Sequence, residues 1–395
     1  MEISISSFQA IALAVIVYYV GKYLKNKVHF FSEYCIPNPV IGGVLFAMLN
    51  LVLHESGTLV MHMDTILQSF FMTMFFTSIG FTASLKVLKQ GGVEVIKMLF
   101  LCAILIFLQN GAGVALAKAF NLNALIGLCG GSIPLVGGHG TSGAFGPMLE
   151  GIGVNNATTV ALAMATFGLI MGSLMGGPIA HKLINRDHLE ADKTSKAVGS
   201  ANEEAAVLLD SERTMLGVAE IMLCMGIGTI VTHFFASMHI VFPGYIGGML
   251  VAAVVRNIAD ATGKFDVPGA EIDTAGSVGL NIFLSMAMMN LKIWELFDLA
   301  GPLVVMAIVQ TIIMAIFAYF CVYRFMGGGY EGAVMTSAVC GFGMGSTANA
   351  MANMSAITSK YGPAPRSFFV VPLVGALFVD FVNAFVIMLF INLFQ

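Results

Sequence analysis

A chain of 395 residues that is 58% hydrophobic and only 10% charged is no ordinary soluble domain, where about a quarter of residues carry charge. Its formal net charge of −4 argues against a nucleic-acid partner. The six cysteines (Cys35, Cys102, Cys129, Cys224, Cys321 and Cys340) are scattered through mostly apolar stretches without metal-ligand spacing, and read as small buried hydrophobes.

A membrane-spanning helix needs about 20 apolar residues. The first such segment, 6–24, has its charges (Lys22, Lys25, Lys27) at its end rather than its start, so it reads as a retained helix and not a cleaved signal. Four more segments follow at 37–53, 65–85, 94–119 and 124–147, and a sixth at 156–182. A polar stretch at 184–213 separates these from a second set at 214–237, 240–258, 274–291, 300–324, 331–355 and 367–393. The stretch reads as a connecting linker.

The fifth segment of each set is interrupted by glycine: Gly130 to Gly143 in the first, Cys340 to Asn349 in the second. Non-helical backbone at membrane depth survives only inside protein or along a watery cavity. Basic residues decide whether these segments cross. If all twelve span, the 18 lysines and arginines divide nine to each side. If both glycine-rich segments re-enter, 16 of the 18 fall on one side, leaving Lys118 and Lys292 on the other. The expected fold is therefore all-α and polytopic: two repeats of five transmembrane helices, each with a re-entrant hairpin (124–147 and 331–355), both termini outside and the linker cytoplasmic. Five is odd, so the halves 1–183 and 214–395 have inverted topology, as in alternating-access carriers. A faint repeat supports this. Ile41-Gly42-Gly43 matches Ile246-Gly247-Gly248, and Gly140-Thr141-Ser142 matches Gly345-Ser346-Thr347, both at an offset of 205.

Glycine lets a ligand approach backbone groups, and paired breaks mark a transporter's substrate site. The expected substrate-binding residues are His139, Gly140, Thr141 and Ser142 in the first break, with Ser132 nearby. In the second they are Gly343, Gly345, Ser346, Thr347 and Asn349. Asp380 is placed mid-helix, where a carboxylate costs about 2.5–3.5 kcal/mol by insertion scales and normally has a role. Asn383 shares its face. Asp380, Asn383 and Asn353 are the Na⁺-site candidates, with Thr166 as a further ion-coupling hydroxyl. Gln109, Asn110, Gln310 and Thr311 suit interhelical hydrogen bonds. Arg256 and Arg324 suit snorkelling at helix ends.

The marks Gly137-Gly138-His139-Gly140-Thr141, Ala165-Thr166-Phe167-Gly168-Leu169, Gly341-Phe342-Gly343-Met344-Gly345, Ala352-Asn353-Met354 and Val371-Pro372-Leu373-Val374-Gly375 with Asp380 and Asn383 together resemble the bacterial glutamate:sodium symporter family over nearly the whole chain. The resemblance implies a carrier of the cytoplasmic (inner) membrane that takes up L-glutamate with co-transported Na⁺ and needs no organic cofactor. It also implies a homodimer working by an elevator-like shift. The sequence departs from the family's Gly-Gly-X-Gly-Gly summary at Thr141, Phe342 and Met344, so the alternative expectation is a Na⁺- or H⁺-coupled carrier of another small organic acid or amino acid. Two other classes fit less well. Val339 to Gly343 only loosely resembles a potassium-channel filter, whose copies must be equivalent. No hydrolase, zinc-protease or nucleotide-binding motif points to an enzyme.

Overall fold

The computed structural model describes residues 2–34, 36–56, 60–191, 209–237, 244–294 and 299–395. Of the expected linker, residues 192–208 lie outside the described residues. The elements run β1 (Glu2–Ile5), α1 (Ser7–Lys27), α2 (His29–Glu33), α3 (Asn38–Glu55), β2 (Val60–Met63), α4 (Ile66–Thr82), α5 (Leu85–Gln90) and α6 (Gly92–Ala119). The first glycine-rich segment breaks into α7 (Ile126–Cys129), α8 (Ser132–Leu135) and α9 (Gly138–Gly151), followed by α10 (Ala157–Arg186). The second half holds α11 (Ser211–Ser237), α12 (Gly244–Thr262), α13 (Gly269–Met289) and α14 (Ala300–Ile316). A π-helical stretch, Phe317–Val322, joins α14 to α15 (Tyr323–Phe325). Then come α16 (Gly329–Met344), α17 (Thr347–Tyr361), α18 (Pro365–Leu377) and α19 (Val379–Phe394).

Among the described residues seven helices are long and apolar enough to cross a membrane: α1, α3, α6, α10, most of α11, α13 and the run Ala300–Phe325. An eighth is reached if α18 and α19 count as one span across their 42° bend. The sequence led us to expect ten. The difference lies in α4, whose 17 residues cover only about 25 Å at 1.5 Å per residue, and in α12, which carries the ion pair Arg256–Asp260 at 3.2 Å. The expected all-helical class also needs one correction, because β1 and β2 pair in parallel from Glu2–Val60 to Ile5–Met63. Four residues per strand are too few for an alternating pattern to register in sequence.

The chain divides into two compact units, each drawing on both halves of the sequence. Unit 1 comprises Met1–Ser84, Gly143–Thr159 and Leu209–Ala300. Within it α1 and α3 approach so closely that a side chain on Gly21 or Gly42 would overlap the facing backbone, which is how small residues bring membrane helices together. Ala10, Ala14 and Val17 of α1 bury against Met286 and Met289 of α13. A second core joins Phe81, Ile221, Cys224, Ala252 and Ile272. Arg213 ties the start of α11 to Asp266 at 2.5 Å and to the buried Glu271 at 3.2 Å.

Unit 2 comprises Leu85–Ser142, Val160–Leu208 and Gly301–Gln395. Its core runs from Val95, Met98 and Leu105 of α6 through Val334, Ala338 and Phe342 of α16 to Val370, Val371 and Val374 of α18. α6 carries Glu94 in its first turn and Lys118 in its last, matching the sign of the helix dipole at each end. Two polar clusters close one end of this unit. Arg186 clasps Asp187 with two bonds of 2.7 Å, and the Tyr323 hydroxyl donates to the same carboxylate at 2.7 Å. The Arg186 hydrogen bonds push the Asp187 carboxyl down to about 2, so this cluster stays charged across physiological pH. In the other cluster Glu331 accepts the backbone N–H groups of Arg366 (3.2 Å) and Ser367 (2.9 Å) and the Ser367 hydroxyl, while Arg366 pairs with Glu94. Glu331 thus caps α18 from another helix. Changing Glu331 to alanine is expected to cost about 1–2 kcal/mol, the worth of an N-cap. It should lower the midpoint of thermal unfolding in detergent by a few degrees; an unchanged midpoint would show that the cap is redundant.

Candidate functional site at the two glycine-rich breaks

Every broken helix leaves N–H groups without acceptors at its start and carbonyls without donors at its end. Unit 2 meets these needs from α6. α8 begins at Ser132, and the Ser132 N–H donates to Asn110 Oδ1 at 2.9 Å. α16 ends at Met344, and the Gly343 carbonyl accepts from Gln109 Nε2 at 2.8 Å. Adjacent amides on one helix therefore serve one end of each break, and Gln310 Nε2 donates to the Gln109 carbonyl at 2.8 Å. From sequence alone these amides suit only interhelical hydrogen bonds. Their signal was two neighbouring amides inside an otherwise apolar helix.

The two breaks also touch each other. Gly138 opens α9 with φ +61, and a Cβ there would lie 3.3 Å from the Gly345 carbonyl oxygen. Glycine suits both the left-handed backbone and the close approach. Two residues after Gly345, α17 begins, with Ser346 as N-cap accepting the Asn349 N–H at 3.3 Å. The N-termini of a 14-residue and a 15-residue helix thus start beside one another. Both present N–H groups with partial positive charge, a setting that favours a carboxylate.

α10 lies along the hairpin of α16 and α17. Side chains on Gly168 or Gly176 would overlap Met344 O and Asn353 Nδ2, and one on Gly172 would lie 3.0 Å from Cys340 O. Four-residue spacing puts these three glycines on one helix face. The hairpin's amides bond to that helix: Asn349 Nδ2 to Leu169 O at 2.7 Å and Asn353 Nδ2 to Gly172 O at 2.9 Å. Asn353 Nδ2 also reaches Ser337 O at 3.2 Å.

The remaining expected residues fall as follows. His139 is 5% exposed, and its Nε2 lies 2.9 Å from Thr166 Oγ1. Thr166 also donates to Leu162 O at 3.1 Å. Ser142 is buried and donates to Gly138 O at 2.8 Å and to Ala161 O at 3.2 Å. Thr141 is buried beside it in the first turn of α9, while Gly140, Ser346 and Thr347 are half-buried. Asp380 needs correction. It lies not mid-helix but in the first turn of α19, directly after the break at Phe378. It is half-buried, and no hydrogen bond or ion pair to it is found among the described residues. Asn383 Nδ2 donates to Ser132 O at 3.2 Å, which carries this residue to the first break. Asn353 is bonded instead to α10 and α16, so no hydrogen bond among the described residues links the three expected Na⁺ candidates. Spare polar capacity surrounds both breaks. Ser132 Oγ, Asn383 Oδ1, Asn110 Nδ2, Gln109 Oε1, Gln310 Oε1 and Ser337 Oγ are buried without a protein partner among the described residues. Each such group costs about 1–3 kcal/mol unless something meets it.

A family model described as sodium/glutamate symporter matches residues 3–363. The chain belongs to the sodium/glutamate symporter family. A sodium/glutamate symporter of Escherichia coli (strain K12) is 38% identical over 98% of this chain and 98% of its own. One from Haemophilus influenzae is 36% identical over 97% of this chain and 96% of its own. The family consists of carriers, not enzymes, and the apolar helices make this chain a multi-pass membrane protein. The family model ends before Asp380 and Asn383, whereas the full-length relatives extend across almost all of the chain.

Proposed function

We propose that the protein is a secondary active transporter that takes up L-glutamate with co-transported Na⁺ across the bacterial inner membrane. The observation that carries this reading is the meeting of two helix N-termini at Gly138 and Gly345 inside unit 2. Two such ends suit a substrate bearing two carboxylates and explain how an anion binds without an intramembrane arginine or lysine. His139, Gly140, Thr141 and Ser142 of α9, with Gly343, Gly345, Ser346, Thr347 and Asn349 of the second break, surround that point. Na⁺ is held by neutral oxygens and by Asp380, with Asn383, Asn353 and Thr166 as the further candidates.

The proposed topology follows from the distribution of lysine and arginine. Ten helices span, the segments 124–147 and 331–355 re-enter from opposite faces, and the halves 1–183 and 214–395 are inverted repeats joined by the 184–213 linker. The termini lie outside and the linker in the cytoplasm. Transport proceeds by alternating access, with unit 2, which holds both breaks, as the moving part of a homodimer. Coupling is linkage: Na⁺ organises the site for glutamate, and glutamate tightens Na⁺ by the same factor.

In proteoliposomes, labelled glutamate is expected to accumulate with an inward Na⁺ gradient and to stop accumulating when K⁺ replaces Na⁺. Equal uptake in K⁺ would overturn the Na⁺ coupling. Competition by a panel of small acids separates glutamate from another acidic substrate.

A further inference from the structure

Unit 1 contains a cavity of about 910 Å³ that the transport reading leaves without a role. This lies within the range of small-molecule sites, about 300–1,000 Å³. Tyr245 borders it. The ring is fully buried and stacks on Phe76 at 4.2 Å, yet the hydroxyl has no partner among the described residues. A buried hydroxyl left unmet is costly, which points to a ligand or water on the cavity side. Opposite charges also line the space. Lys292 brings a cation, and Glu150 brings a carboxylate whose Oε1 accepts the Thr158 N–H at 2.9 Å. Gln68, also on the lining, is buried and accepts from Asn290 at 3.4 Å. His54 and Trp294 stack at 4.2 Å with planes 7° apart and form a flat wall.

We infer that this cavity binds a small zwitterionic acid of the acidic amino-acid class, at a site in unit 1 separate from the one in unit 2. Lys292 faces a carboxylate, Glu150 the ammonium, and Tyr245 with the Gln68–Asn290 amide pair supplies neutral hydrogen bonds. By the charge count the loop that carries Lys292 faces outside, so the site meets external substrate. Glutamate as the ligand rests on the proposed function.

Trp294 is the single tryptophan of the sequence, so its fluorescence reports on this cavity without labelling. Glutamate added to the purified full-length protein is expected to change Trp294 emission saturably. In Asn349→Ala, altered at the second break, that change should persist. In Lys292→Gln its half-saturation should rise about tenfold, the loss expected for one charge-assisted contact. A signal lost in Asn349→Ala, or unmoved in Lys292→Gln, overturns the inference. Na⁺-driven uptake by the wild type is measured alongside. Its absence would refute the carrier reading, whereas intact uptake with a silent Trp294 refutes the cavity site alone.

Discussion

Replacing Gln109 by leucine is expected to raise the glutamate half-saturation of Na⁺-driven uptake by about tenfold while leaving the protein folded. Gln109 Nε2 is the donor that reaches the Gly343 carbonyl at 2.8 Å, one residue before the end of α16. Leucine fills the volume but cannot donate. The carbonyl is then buried without a partner at a cost of about 1–3 kcal/mol, and each 1.4 kcal/mol is tenfold in an equilibrium constant. The penalty falls on the last turn before Gly345, the residue that meets Gly138. Relief comes from shifting that turn, which displaces the tip of the second break. Leu105 and Met314 already crowd Gly343, so the turn has little room to relax without moving the tip. A paired measurement separates site from scaffold: the thermal midpoint should fall only modestly while apparent affinity falls strongly. Equal affinity in wild type and variant would mean that the tip does not depend on this bond.

Most of the helix plan was legible because long apolar runs and glycine interruptions are strong local signals. The interruptions between Gly130 and Gly137 and at Gly345–Ser346 fall within the segments that composition marked. What was not legible is non-local. Gln109 serves Gly343 across 234 positions and Asn383 serves Ser132 across 251, and no periodicity encodes such partners. Asp380 was placed mid-helix because Val370 to Asn383 reads as one apolar run; Pro372 and Gly375 weaken a helix there, but neither fixes the turn at Phe378. The glycines of α10 looked like ordinary packing residues. Only the hairpin lying on Gly168, Gly172 and Gly176 shows what they accommodate. The division into two units was likewise hidden, since each draws on stretches far apart in the chain.

The Asp380→Asn substitution is expected to raise the Na⁺ half-saturation of uptake by at least about tenfold, with partial recovery at high Na⁺. Asp380 stands in the first turn of α19, just past the bend from α18. No protein group pairs with it among the described residues, and a lone carboxylate within an apolar span costs about 2.5–3.5 kcal/mol. The helix N-terminus offsets part of that, about 0.3–1 kcal/mol. A cation bound during transport is the natural complement for the remainder. Asparagine keeps the shape and the capacity to hydrogen-bond but removes the charge, so it distinguishes an ion ligand from a structural acceptor. Because linkage is reciprocal, glutamate affinity at fixed low Na⁺ should fall as Na⁺ affinity falls, and the two should recover together as Na⁺ rises. A structural acceptor predicts the opposite pattern: fewer active molecules and a lower maximal rate, with the Na⁺ dependence unmoved. Observing that pattern would remove Asp380 from the ion site and leave the neutral oxygens of Asn383, Asn353 and Ser132 as the groups to test.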